Sequence, residues 1–245
     1  MTLTFKRKCL EEDCKGIVDI LYEEKYGRVQ KYLSQFLELD LEKMYEVGKD
    51  EGYKIIYPIL KKEYESSEVV IAEKLYEIKR YWRKEEEDIL EILNSVFDYT
   101  IKDEKDIIAE FSINAVCPRY LEKWSFDVNY RKSIEEIILA CIHEIIHFIW
   151  FEKWSEVFPD SNKNEYNAPN TPWLLSEIVI DAILKETRLE KYCVDDKPAY
   201  SYFYDIMIED KNMMEYFREL FVSNNIQDFM IKGYKYVLKN REMIC

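Results

Sequence analysis

Turn-forming residues are scarce in this chain. Five glycines and six prolines in 245 residues leave few tight turns, which disfavours a strand-rich fold and favours helices. Six cysteines, at 9, 14, 117, 141, 193 and 245, include no CxxC pair, which excludes a zinc-ribbon or thioredoxin signature. The opening "MTLTFKRKCLEEDCKG" has no apolar stretch after its basic residues, so no secretory signal is expected and the thiols are expected to be reduced. The longest apolar run, Ile137 to Phe151, is broken by His143, Glu144 and His147, too short and too polar to span a bilayer. Basic charge is in deficit: 35 Lys and Arg against 49 Asp and Glu give a net −14, a field that repels phosphate backbones. Together these absences lead us to expect a soluble cytoplasmic protein with neither membrane nor nucleic acid as partner. Histidine occurs only twice.

What is present points to a folded helical protein. Hydrophobic residues make up 48% and aromatic residues 15%, enough for a substantial core. Residues 1–105 read as mostly helical, with apolar residues at three-and-four spacing in "EEDCKGIVDILYEEKYGRVQKYLSQFLELD" and "SSEVVIAEKLYEIKRYWRKEEEDILEILNSVF". The charge run "KRYWRKEEED" is a solvated helix face, and "TLTF" and "YKIIYP" are short strand candidates. From Asp106 the pattern changes: "IIAEFSINAV" and "SFDVNY" are β-rich and expected to be neighbouring strands. Ser133 followed by Glu136 is a capping-box signature that predicts a helix from Ile134. Residues 159–172 are polar and Asn/Pro-rich, a loop ending in Thr171 as N-cap and Pro172 as first residue of a second apolar helix, "WLLSEIVIDAILKE". Two or three more helices complete the chain, with Met213, Met214, Phe217, Leu220 and Phe221 as a core stripe. The expected fold class is α+β and mostly helical, with regions 1–105, 106–190 and 191–245.

The two apolar helices carry five ionisable groups: His143, Glu144, His147, Glu177 and Asp181. Both helices are apolar nearly all round and expected to be buried, where unpartnered charges cost several kcal/mol each. A bound cation would offset that cost. Residues four apart share a helix face, so His143 and His147 aim two imidazoles at one point, a bite that zinc accepts at about 2.0–2.1 Å per nitrogen. Glu144 stands beside that point, placed to take a proton from a metal-bound water. The bland alternative is a pair of core histidines satisfied by backbone carbonyls.

A catalytic zinc usually has three protein ligands and an open position, and no third histidine exists. Glu177 is the preferred third ligand, with Asp181 four residues on as a hydrogen-bond acceptor for a ligand histidine. Cys117 and Cys141 are rivals. Cys141, two residues before His143, points away from the histidine face, and Cys117 lies in an expected loop.

These residues, "HEIIH" followed by "SEIVID", resemble the gluzincin metallopeptidases, the thermolysin-like branch of the zincins, over residues 107–187. The resemblance implies zinc ligands His143, His147 and Glu177, general base Glu144, supporting Asp181, and a zincin-like core with a small sheet. It implies hydrolysis of a peptide or protein substrate, laid along an edge strand drawn from "WSFDVNY" or "FSINAVC". The family often stabilises the tetrahedral oxyanion with a histidine or a tyrosine. Here a tyrosine must serve, and Tyr166, Tyr202 and Tyr204 are the candidates. The gap from His147 to Glu177 is longer than in the best-known members. Trp150 and Lys153 stand where a metzincin has glycine and histidine. Rival readings are a non-catalytic zincin-fold protein, a regulatory protease for one protein partner, and a metal-free helical interaction protein.

Overall fold

The computed structural model describes residues 2–23, 27–98 and 106–244. These fall into two compact units, 2–82 with 106–137 and 83–98 with 138–244. The grouping runs across the three sequence regions: 106–137 join the N-terminal residues, and 138–190 join the C-terminal ones.

The first unit holds a four-stranded mixed sheet and a set of helices. Its strands are β1 (Thr2–Arg7), β2 (Asp106–Ser112), β3 (Arg119–Tyr120) and β4 (Ser125–Asn129), in the order β1-β2-β4-β3. β2 pairs parallel with β1, Phe5 opposite Ala109, and parallel with β4, Phe111 opposite Val128. The strand expected at "TLTF" is therefore present, and the two β-rich segments after Asp106 are neighbours. The edge-strand role implied for those segments does not hold for β2, which is paired on both sides. β4 is also paired on both sides at Ser125 and Phe126, against β3. A main chain already spent on two neighbours has no ladder left to offer a peptide, whereas β4 from Asp127 to Asn129 pairs with β2 alone.

Helices α1 (Leu10–Tyr22), α2 (Gly27–Phe36), α3 (Leu41–Val47), α4 (Lys49–Ser66) and the start of α5 (Glu68–Phe97) complete the first unit. "YKIIYP" lies inside α4 and is not a strand. Ile56, Leu60 and Tyr64 repeat every four residues on its buried face, and this helical period prevails over the local β preference. Along α5 the charge run is exposed or half-exposed except for buried Trp82, as a solvated face requires.

The second unit is helical: the rest of α5, α6 (Ile134–Val157) from residue 138, α7 (Thr171–Lys185), α8 (Met213–Val222), α9 (Ile226–Lys239) and α10 (Arg241–Ile244). A short antiparallel pair, β5 (Met207–Ile208) and β6 (Lys211–Asn212), precedes α8. Met213, Met214 and Phe217 are buried as expected, while Leu220 and Phe221 are half-buried. Among the described residues no helix is long and apolar enough to cross a membrane.

Candidate metal centre

α6 begins where its capping box places it. Ser133 N–H donates to Glu136 Oε2 at 2.7 Å, and Glu136 N–H donates to Ser133 Oγ at 3.2 Å. Within the second unit, α6 is buried from Cys141 to Phe151 except at His143 and Glu144. Leu139 and Ala140, one turn earlier, are also half-open. Their three-and-four spacing makes one stripe, so the helix opens to solvent along the face that carries the motif. Glu144, expected to be buried, is half-buried.

α7 starts one residue earlier than its sequence signals indicate. Thr171 is already helical and Asn170 is the capping position, so Pro172 is the second residue of the helix. Thr171 Oγ1 instead accepts from Arg241 Nη1 at 3.2 Å. From Thr171 to Leu184 every residue is buried except Trp173.

The two helices bring His143, His147 and Glu177 together. The two histidine Nε2 atoms lie 3.0 Å apart. Glu177 Oε2 is 3.6 Å from His143 Nε2, and Oε1 is 3.4 Å from His147 Nε2. Each histidine Nε2 faces a different carboxylate oxygen of Glu177, and one donor atom from each of the three residues lies within 4.8 Å of the others, the clustering a zinc site needs. One imidazole nitrogen from each histidine and a carboxylate oxygen also form the donor set of such a site.

Burial is graded across the triad: the His147 side chain is 0% exposed, Glu177 7% and His143 24%. Burial opposes ionisation of Glu177, yet His147 and His143 beside it hold its carboxyl well below the ordinary range. His147 is backed by an apolar stack, its ring 6.2 Å from Phe151 and nearly parallel to it, with Tyr166 4.4 Å beyond.

Asp181 does not take the role expected of it. Its carboxylate accepts from Tyr204 Oη at 2.7 Å and from Arg218 Nε at 2.5 Å and Nη2 at 3.2 Å, with Lys185 Nζ at 3.9 Å. It therefore ties α7 to α8 and to the 3-10 turn Ser201–Asp205 instead of orienting a histidine ring. Arg218 was missed in the sequence, although a buried carboxylate needs a cation or hydrogen-bond donors around it.

Tyr166 does not reach the triad either. Its hydroxyl shares hydrogen bonds with Ser155 Oγ at 2.9 Å and Ser161 Oγ at 3.3 Å. Ser155 lies eight residues beyond His147, about 12 Å along the helix. Tyr204 donates its proton to Asp181, and Tyr202 is 47% exposed with its ring against Tyr200 and Phe203. Of the rival ligands, Cys141 is fully buried on α6, and Cys117 belongs to the first unit, where its thiol donates to Asn114 O. Neither cysteine joins the one ligand cluster found among the described residues. In comparisons with known protein families, with characterised proteins and with solved structures, this chain matches none.

Proposed function

We propose that this chain is a zinc-dependent metallopeptidase with a zincin-like core, acting on a peptide or protein substrate in the cytoplasm. The observation that carries the reading is the convergence of His143, His147 and Glu177 from two separate helices, with one donor atom of each within 4.8 Å of the others. His143 and His147 would hold the ion through Nε2, and Glu177 through its carboxylate. A bound Zn2+ would supply Lewis acidity, polarising a carbonyl and acidifying a water.

The remaining work falls to the chain. Glu144 shares the open stripe of α6 with His143, so its carboxylate can take a proton from a water there and deliver it to the leaving amine. Buried His147 and its Phe151 backing keep one side of the site dry, which strengthens every charge interaction within it. The accessible His143 side admits substrate, as a catalytic site must and a closed structural zinc site does not.

The test is zinc content and peptide hydrolysis measured on wild type, Glu177→Ala and Glu144→Gln. We expect near-stoichiometric zinc in the wild type and in Glu144→Gln, and a sharp loss in Glu177→Ala. Hydrolysis should fall about 10²–10⁴-fold in Glu144→Gln. Full activity in that variant would remove Glu144 as the base. Zinc without hydrolysis of any library peptide would favour the non-catalytic reading, and hydrolysis of a single protein partner the regulatory one.

A further inference from the structure

We propose that a cavity at the C-terminal end of α6 binds an organic ammonium ion, a positively charged nitrogen that carries alkyl groups and an oxygen acceptor close by. The cavity measures about 510 Å3, and its walls include Trp154, Phe158 and Tyr234 together with Val157, Asp160 and Glu165. It shares no residue with the triad. Trp154 lies seven residues beyond His147, about 10 Å along the helix, so this site does not depend on the peptidase reading.

Charge selects the sign of the ligand. Asp160 and Glu165 line the cavity, and among the described residues no Lys, Arg or His does so. Neither acid has an ion-pair partner among the described residues. Lys163, between them in sequence, is exposed and lies outside the lining. Val157 is the last residue of α6, so a 24-residue helix ends at the cavity wall. Aligned peptide dipoles place about half a negative charge at such an end, and the last turn holds no basic residue to balance it. Two acids and a helix C-terminus favour a cation.

The rings select an alkylated nitrogen over a metal ion. Trp154 packs on Phe158 with centroids 4.3 Å apart and on Tyr234 at 5.4 Å, and Phe158 lies 5.4 Å from Tyr234. Their planes meet at 33°, 78° and 54°, so the three form a corner and not a stack. Trp154, 1% exposed, is the floor, and Phe158 and Tyr234 are half-buried. An aromatic face attracts a cation within about 6 Å of its centroid, and alkyl groups on the nitrogen add apolar contact. Asp160 and Glu165 join no metal-ligand cluster among the described residues. The buried Trp154 indole N–H has no acceptor among the described residues, and an oxygen on the ligand supplies one.

The experiment is calorimetric titration of the full chain with four probes. These are choline, its neutral isostere 3,3-dimethyl-1-butanol, propyltrimethylammonium, which keeps the charge and lacks the oxygen, and a short peptide with one trimethyl-lysine. Choline should bind about 10-fold or more tightly than the neutral isostere. Propyltrimethylammonium should bind about 3-fold or more weakly than choline. A peptide that binds more tightly than choline assigns the ammonium to a protein partner, and one that binds more weakly assigns it to a free small molecule. Asp160→Asn combined with Glu165→Gln should bring the choline preference below about 3-fold. Asp160 is exposed and Glu165 half-buried, so this variant spares the core, and thermal melts check that it does. Tyr234→Leu is a second variant that should also lower the preference. Zinc content should be the same in wild type and both variants, which separates this site from the metal centre. Equal affinity for choline and its neutral isostere, no binding of any charged probe, or a preference untouched by both variants would overturn the site. Equal binding of choline and propyltrimethylammonium would overturn the oxygen contact.

Discussion

The two units each bury a cluster of ionisable side chains, and they resolve it differently. In the first unit Lys8, just after β1, places its ammonium against Asp127 of β4, 3.1 Å from Tyr120 Oη and 4.0 Å from Glu110. Asp13 of α1, fully buried nearby, accepts from Tyr64 at 2.7 Å, Ser112 at 2.7 Å and Ile113 N–H at 3.2 Å. Acid is in excess around Lys8, the buried cation, while Lys6 meets Glu110 from the exposed side at 3.0 Å. Burial, with Asp13 and Glu110 close by, pushes Asp127 up to about 7 despite Lys8. Burial likewise raises Asp13. Burial works against the charge of Lys8, yet Asp127 holds it above its ordinary range. The second unit gathers two imidazoles and a carboxylate, three lone-pair donors within 4.8 Å of one another. A cluster that encloses its own lysine is a structural device. A cluster of converging lone pairs could hold an ion.

Removing the internal cation should have the largest effect. Lys8→Met takes the cation from buried Asp127 beside Glu110, and we expect a loss of about 3–5 kcal/mol in urea unfolding at pH 8, where Asp127 of the wild type has released its proton. Zinc content should not change. A stable Lys8→Met protein would mean that the first cluster does not depend on its cation. Zinc supplies the matching experiment for the second unit. At 100 times its dissociation constant it should stabilise the wild type by about 2.7 kcal/mol, and Glu177→Ala should lose this effect. Equal stabilisation of both proteins would dissociate Glu177 from the ion.

Two smaller effects sharpen the contrast. Tyr166→Phe removes a hydroxyl shared with Ser155 and Ser161, so stability should fall by about 1 kcal/mol with turnover unchanged. A large drop in kcat instead would return Tyr166 to the oxyanion role. The last effect is one of pH. Asp127 titrates at 3.8 in the unfolded chain and near 7 in the fold, so between these values the folded state holds a proton that the unfolded state has released. Its contribution to stability is complete below about pH 4 and is lost as pH rises to 7. The slope of stability against pH across that window, measured without metal, should be shallower in Asp127→Asn than in wild type. Identical slopes would show that Asp127 is not the group involved.

Much of the candidate site is local and was therefore legible. HExxH works through a four-residue spacing, the Ser133–Glu136 box acts within one turn, and apolar residues nearly all round put both motif helices in the core. Glu177 could be picked as a ligand because a carboxylate on an apolar helix needs a partner. The same rule, applied to Asp181, gave the wrong partner. Its cation is Arg218, 37 residues away on another helix, and no local pattern encodes that pairing. Tyr166 failed for a related reason, since a loop tyrosine can be directed anywhere and this one is directed to two serines.

The sequence by itself determined the helical period, the start of α6, the neighbouring β2 and β4, and the two-histidine bite with its adjacent glutamate. All of these follow from interactions within a few residues or from the alternation of apolar and polar side chains. Only the tertiary structure decided that Glu177 approaches both histidines, that Asp181 binds Arg218 and Tyr204, that the Trp173 ring meets Tyr200, and that Lys8 meets Asp127 across 119 positions. Such contacts depend on how elements pack, and packing is set by the sum of many weak apolar contacts spread over the whole chain.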